Sequence, residues 1–179
     1  MLNNEKLFRQ LYDEHSKMVY NISLQYLQNI EEAEDVTQEV FVKVYQNLEK
    51  FNATNATFKT WIYRIAINQN LDVLKTKKAK KRLGFITSIF YKDTNEPLTE
   101  LVHFNHPGVA LENKELMDKL FSSINDLSEN QRTVIILLKI EGLSQKEVGN
   151  IMNMSIKAIE SLFQRAKKTL YTKLYDKEG

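Results

Sequence analysis

The chain contains no cysteine, which excludes disulfides and thiolate metal sites. Its three histidines, His15, His103 and His106, are scattered and form no HExxH-like ligand set. There is no Gly-rich phosphate loop and no GxSxG nucleophile motif, so a protein that is not an enzyme and holds no cofactor or metal is expected. No apolar run approaches a membrane span, and the polar, acid-containing start MLNNEKLFRQL lacks the form of an export signal. A soluble, cytoplasmic chain without membrane insertion is the expectation. Only five Gly and two Pro in 179 residues leave few places for the chain to turn, and strict two-residue apolar alternation is hard to find. Those two shortages together predict an all-α fold. Charge of either sign is also not in excess: the net is +2, so any nucleic-acid site must arise from local segregation of charge.

What is present is organised around residues 142–170, GLSQKEVGNIMNMSIKAIESLFQRAKKTL. Ser144 followed by Glu147 is a capping box that opens a short helix. Gly149 is a small residue where a second segment must come close. Asn153-Met154 interrupts the pattern and Ser155 can cap a longer helix. In that helix Ile159, Leu162, Phe163, Ala166 and Leu170 share one face, while Lys157, Glu160, Ser161, Gln164, Arg165 and Lys168 share the other. One side buries in its own domain; the other offers the short polar and long cationic groups that suit a DNA major groove. The plainer alternative is an amphipathic hairpin with a solvated charged face.

Upstream, residues 5–29 carry Phe8, Leu11, Tyr12, His15, Val19, Ile22 and Tyr26 at helical spacing, predicting one buried stripe with a break near Ser16. A second helix over 31–50 begins with Glu31, Glu32, Glu34 and Asp35, which suit the positive end of a helix dipole. Ala33, Val36, Val40, Val44 and Leu48 form its inner stripe. Another face holds Asp35, Gln38, Glu39 and Val42, an acid- and amide-rich patch that is either solvated or a docking surface for a basic partner protein. Residues 51–57, FNATNAT, form a small polar loop. A third helix over 58–79 starts with Phe58, Trp61, Ile62 and Ile65 as core residues and places Arg64, Asn68 and Lys75 along one side. Its end, KTKKAKKR at 75–82, has six cations in eight residues. That run is a solvated helix end or a rail for phosphates, each neutralised phosphate releasing counterions.

Residues 83–107 change character, with Gly84, Pro97 and His106-Pro107-Gly108 among scattered polar and apolar residues, and read as a linker. Helix returns over 109–125, with Leu111, Leu116, Leu120, Phe121 and Ile124 as core candidates. Ser128 with Gln131 is another capping box, opening a helix with Val134, Ile135, Leu137 and Leu138 that ends at Gly142. The division expected is a first helical domain at 1–83, a linker at 84–108 and a second helical domain at 109–179.

Four segments in this order carry a resemblance: AEDVTQEVFVKVYQNLEKF (33–51), FKTWIYRIAINQNLDVLK (58–75), LSENQRTVIILLKIEGLSQKEVGNIM (127–152) and SIKAIESLFQRAKKTL (155–170). The chain resembles bacterial RNA polymerase sigma factors of the sigma-70 family, of the compact extracytoplasmic-function type. The resemblance implies a transcription initiation factor that binds core RNA polymerase and directs it to promoter DNA by reading the −10 and −35 elements and assisting melting. The first domain resembles sigma region 2, with Asp35, Gln38, Glu39 and Val42 at positions that meet the polymerase clamp coiled coil. The 52–57 loop, with Asn52 and Asn55, resembles the loop that captures a flipped −10 base, and Arg64, Asn68, Lys75, Lys77 and Lys78 are the further −10 candidates. A Trp pair that wedges the bubble edge in housekeeping sigma factors is absent here; Arg64 and Ile65 occupy that region, which implies weaker melting and stricter promoter demand.

The second domain resembles region 4. Ser161, Gln164 and Arg165 fall on its base-reading face, and Lys157, Lys167 and Lys168 suit phosphates. Glu160 departs from the often basic residue of the family; a carboxylate there reads a cytosine amine or faces a neighbouring Lys. Gly149 stands where the family usually has Ala, which should soften that helix. An anti-sigma factor is a further expected partner, since this class often has one. The competing reading is a dimeric helix-turn-helix regulator that acts without polymerase, and a plain repressor has no need for the acidic face at 35–42.

Overall fold

The computed structural model describes residues 2–54, 56–90 and 114–175, and among them the chain forms seven α-helices and no strand. The apolar stripes decide how they pack. Helix α1 (Leu2–Leu27) runs through Ser16 without the expected break and buries Leu11, Val19, Ile22 and Tyr26. Tyr12 does not join that stripe: it is 43% exposed, and its ring edges against Phe41 at the surface. Helix α2 (Ile30–Asn47) follows a tight reversal in which Gln28 adopts φ 54 and the Asn29 side chain accepts the Glu32 N–H at 2.9 Å. That cap satisfies one of the otherwise orphaned first-turn donors. The whole expected inner stripe of α2, Ala33, Val36, Val40, Val44 and Leu48, is buried. Each larger side chain buried this way contributes about 1.5–3 kcal/mol relative to exposure. A 3-10 turn over Leu48–Lys50 ends the segment.

Helix α3 spans Phe58–Phe90 and so passes both its expected end at 79 and the expected start of the linker at 84. Between Asp72 and Phe90 there is no proline and no acidic residue, and the single Gly84 weakens a helix without ending it. Ile62, Tyr63, Ala66 and Ile67 are buried, while Trp61 is half-buried in a ring cluster with Phe51 and Phe58. Trp61 is therefore an anchor at the rim rather than at the centre. Most of the expected linker, with Leu111 and Asn55, lies outside the described residues.

The second group is α4 (Lys114–Asn125), α5 (Glu129–Ile135), a π turn over Ile136–Ile140, α6 (Gln145–Met152) and α7 (Ile156–Tyr175). Arg132 is 2% exposed, and its guanidinium donates to the carbonyls of Ile124 and Asn125. These are end-of-helix carbonyls without intrahelical donors, so the buried cation caps α4. Gly142 ends the π-turn segment at φ 67, a left-handed conformation that glycine adopts without cost.

The α6–α7 hairpin forms as the local chemistry requires. The Glu147 carboxylate accepts the Ser144 N–H at 2.9 Å, and the Ser144 hydroxyl accepts the Glu147 N–H at 3.2 Å. Asn153 takes the left-handed cap position at φ 54, and the Ser155 hydroxyl accepts the Ala158 N–H at 3.2 Å. Gly149 is needed more than helix propensity suggests. A Cβ there would sit 2.8 Å from the Met154 carbonyl oxygen, a backbone atom that cannot step aside. Gly149→Ala gains about 1 kcal/mol of helix propensity but incurs an overpacking cost of about 1–3 kcal/mol. The expected result is a lower melting temperature by a few degrees in thermal unfolding; an increase would show that the turn yields.

Candidate nucleic-acid interface

Helix α7 is amphipathic in the sense expected. Ile159, Leu162 and Ala166 are buried, and Phe163 packs at the edge of the core. Lys157, Glu160, Ser161, Gln164, Arg165, Lys167 and Lys168 are all exposed. Among the described residues none of these forms an ion pair, and Glu160 in particular faces no cationic partner. Lys167 lies over the Phe163 ring at 5.7 Å, and Lys139 lies over the same ring at 5.4 Å. The geometry brings together Lys157, Ser161, Gln164, Arg165 and Lys168 on the exposed side of one helix.

The acid- and amide-rich face of α2 is separate from it. Asp35, Gln38, Glu39 and Val42 are exposed, Val42 at 53%. The Glu39 carboxylate accepts from the Gln69 amide of α3, and Gln69 in turn accepts from Lys43. This chain of contacts fixes where Glu39 points. Tyr45 continues the Gln38–Val42 stripe by one turn and is 51% exposed; its ring meets Phe8 of α1 edge-on. Tyr45 was not among the expected site residues, although its seven-residue spacing from Gln38 was readable.

The remaining expected residues are less free. Asn52 folds the loop: its Oδ1 accepts the Thr54 N–H at 2.9 Å and the Thr54 hydroxyl at 2.7 Å. Arg64 donates from Nε to the Ile151 carbonyl at 3.1 Å and from a terminal nitrogen to the Asn150 carbonyl at 2.5 Å. Lys75 pairs with Glu129 at 3.5 Å and Asp72 at 4.0 Å, and Lys77 pairs with Glu32. Asn68 and Lys78 are exposed. Asn68 lines a shallow cleft of about 320 Å³ with Lys43, Asn47, Lys50, Trp61 and Ile65, cations around an aromatic floor. Sequence reasoning did not foresee that α3 and α6 lie against each other. A wider cleft of about 640 Å³ separates Ala53, Thr54, Ala56, Thr57 and Arg64 from Gly149, Asn150 and the turn at Asn153–Ser155.

One acid marks this junction. Glu141 accepts the Tyr63 hydroxyl at 3.2 Å, with Lys59 within electrostatic reach of Glu141 and Glu147 within reach of Tyr63. Burial pushes the Glu141 carboxyl above its usual 4.5, although the Tyr63 hydrogen bond and Lys59 pull the other way. Burial also pushes the Tyr63 phenol upward. A carboxyl raised on folding contributes stability that is complete below pH 4.5 and fades as pH rises through the raised value. The melting temperature of the native chain should therefore gain on Glu141→Gln as pH falls from 7 toward 4.5. A constant difference between the two would remove the assignment.

The profile described as Sigma-70 region 2 matches residues 11–80, and that described as Sigma-70, region 4 matches residues 117–170. The chain is 30% identical over 181 residues to the ECF RNA polymerase sigma factor SigW of Bacillus subtilis (strain 168), covering 97% of this chain and 91% of that one. It is 30% identical over 140 residues to the ECF RNA polymerase sigma-E factor of Escherichia coli (strain K12), covering 78% and 72%. The fold is similar to that of CnrH, solved in complex with the cytosolic domain of CnrY, at TM-score 0.63 and 23% identity over 98% of this chain and 91% of that one. It is equally similar to the sigma factor RpoE of Bartonella quintana, solved with the anti-sigma factor NepR, at TM-score 0.63 and 20% identity over 94% and 97%.

Proposed function

The chain belongs to the extracytoplasmic-function group of the RNA polymerase sigma-70 family, and on that premise we propose how its residues divide the work of promoter recognition. It is a transcription initiation factor that brings core RNA polymerase to promoter DNA. Asp35, Gln38, Glu39 and Val42 dock on the polymerase. Asn52, Asn55, Arg64, Asn68, Lys75, Lys77 and Lys78 meet the −10 element, and Lys157, Ser161, Gln164, Arg165, Lys167 and Lys168 meet the −35 element. Residues 1–83 and 109–179 act as the two domains; the tether assigned to 84–108 starts as a continuation of α3.

The observation that carries this reading is the separation of charge onto two faces of one chain. The exposed acidic stripe of α2 suits a basic protein surface, and the exposed cationic face of α7 suits phosphates and bases. Each domain alone makes few DNA contacts and should bind weakly. Polymerase holds both at a fixed separation, so the second contact becomes intramolecular. Capture of a flipped base has to offset a few kcal/mol of lost stacking and pairing, which a polymerase-anchored loop at 52–57 can do only for a favourable base. The site of action is the cytoplasm, and an anti-sigma factor is the expected regulator. Among the described residues no helix is long and apolar enough to cross a membrane.

Run-off transcription with purified core polymerase on a promoter library tests the reading. Defined transcripts should appear only when the protein is added. An identical transcript pattern with and without it would reject the assignment.

A further inference from the structure

We propose that Ile156, the first residue of α7, reads a thymine of the −35 element by packing against its C5 methyl group. The inference rests on the assignment of α7 to that element and adds a contact that is neither polar nor cationic. Ile156 is 50% exposed, whereas Ile159, Leu162 and Ala166 of the same helix are buried. Neither the core nor the helix start calls for an isoleucine at this position. The Ser155 hydroxyl caps α7 by accepting the Ala158 N–H at 3.2 Å. A helix start is stapled by an apolar residue just before the cap and another four residues after it. Here those positions are Met154, which packs against the core, and Ile159, which is fully buried. A β-branched side chain also favours a helix less than Ala or Leu does.

A lone exposed isoleucine is ordinary on a protein surface; its neighbours set this one apart. Lys157 follows it, and Glu160 lies one turn on along the same side of the helix, both exposed. Among the described residues Glu160 forms no ion pair. A backbone phosphate is repelled by that carboxylate and gains nothing from an isoleucine, so this edge of α7 suits the groove floor and not the DNA backbone. The residues at the start of a recognition helix are those that reach base edges in the major groove. There the thymine methyl is the apolar group on offer, while guanine, adenine and cytosine present donors and acceptors. Over those bases an isoleucine covers polar edges and leaves them without partners, which lowers affinity. Over thymine it removes two apolar surfaces from water together. Reading is thus divided along α7, with an apolar contact at its start and the guanine-competent Arg165 further on.

The test uses the full chain bound to core polymerase. The −35 element that the parent protein selects from a randomised −35 library is built into a linear promoter. Each thymine of that element, on either strand, is then replaced in turn by deoxyuridine, which keeps the hydrogen-bonding edge and lacks only the methyl. Holoenzyme affinity for each template is titrated for the parent and for Ile156→Ala, which removes most of the apolar side chain and keeps a good helix former. Co-purification with core polymerase shows that the variant is assembled. At one position the parent should lose about fourfold on deoxyuridine, the effect of one methyl group left in water, while Ile156→Ala binds both templates alike. The proposal is overturned if parent and variant respond in the same way to methyl removal at every position, or if the selected element contains no A·T pair. A variant weakened equally on thymine and deoxyuridine templates throughout would place a protein surface against Ile156, and overturns it too. Selection of no −35 preference at all would reject the promoter reading of α7 and this contact with it. A clear −35 preference without a methyl-dependent difference rejects the role of Ile156 alone.

Discussion

The double variant Asp35→Lys/Glu39→Lys should lose core polymerase binding, with affinity reduced at least about 100-fold while the helical content stays unchanged. Breaking one buried, hydrogen-bonded charge pair at an interface costs about 2–5 kcal/mol, and two reversals add repulsion where there was attraction. The fold has little at stake. Asp35 is exposed and among the described residues forms no ion pair. Glu39 loses only its surface contact with Gln69. Substitutions of this kind at a surface change stability by about 0.5 kcal/mol or less. Co-purification with core polymerase and circular dichroism together separate the two effects. Normal complex formation by the double variant would remove α2 as the docking helix.

Arg165→Ala should reduce transcription from a −35-dependent promoter by about 5- to 150-fold, the range spanned by one bidentate arginine contact of about 1–3 kcal/mol. Core binding should not change, because Arg165 lies on α7 and the docking face on α2. The side chain is exposed and forms no ion pair among the described residues, so removing it leaves no buried partner unsatisfied. The backbone carbonyl of Arg165, which accepts from Thr169 at 3.0 Å, is kept in the variant. A footprint unchanged over the −35 region would count against the assignment. The same experiment with Glu160→Ala decides whether that carboxylate reads a base: relaxed sequence preference marks a reader, and uniformly tighter binding marks a group that only repels phosphate.

Local chemistry was legible in the sequence and long-range chemistry was not. Ser144 and Glu147 announce the start of α6 because the capping box is satisfied within four residues. The inner stripe of α2 is readable because Val36, Val40 and Val44 repeat with the helix. The cap at Asn29 was missed although its residue type favours it, since the run of acids that follows drew the boundary one step late. Tyr12 matches the periodicity of α1 yet is 43% exposed, its ring set edge-on against Phe41 of α2. The role of Gly149 depends on a backbone oxygen five residues away in a left-handed turn, which family preference for Ala does not reveal. Arg64 shows the limit most clearly. Its type and position point to DNA, while its hydrogen bonds in the folded chain go to carbonyls more than eighty residues further on. No pattern of spacing contains that contact; only the packing of α3 on α6 creates it.

The most direct test is a footprint on one promoter with the protein alone, with core polymerase alone and with both. Joint protection of the −10 and −35 regions only when both are present, together with a stable protein–core complex in sedimentation, is the predicted result. A specific, palindromic footprint by the protein alone at physiological salt, with no complex formed on core polymerase, would contradict it.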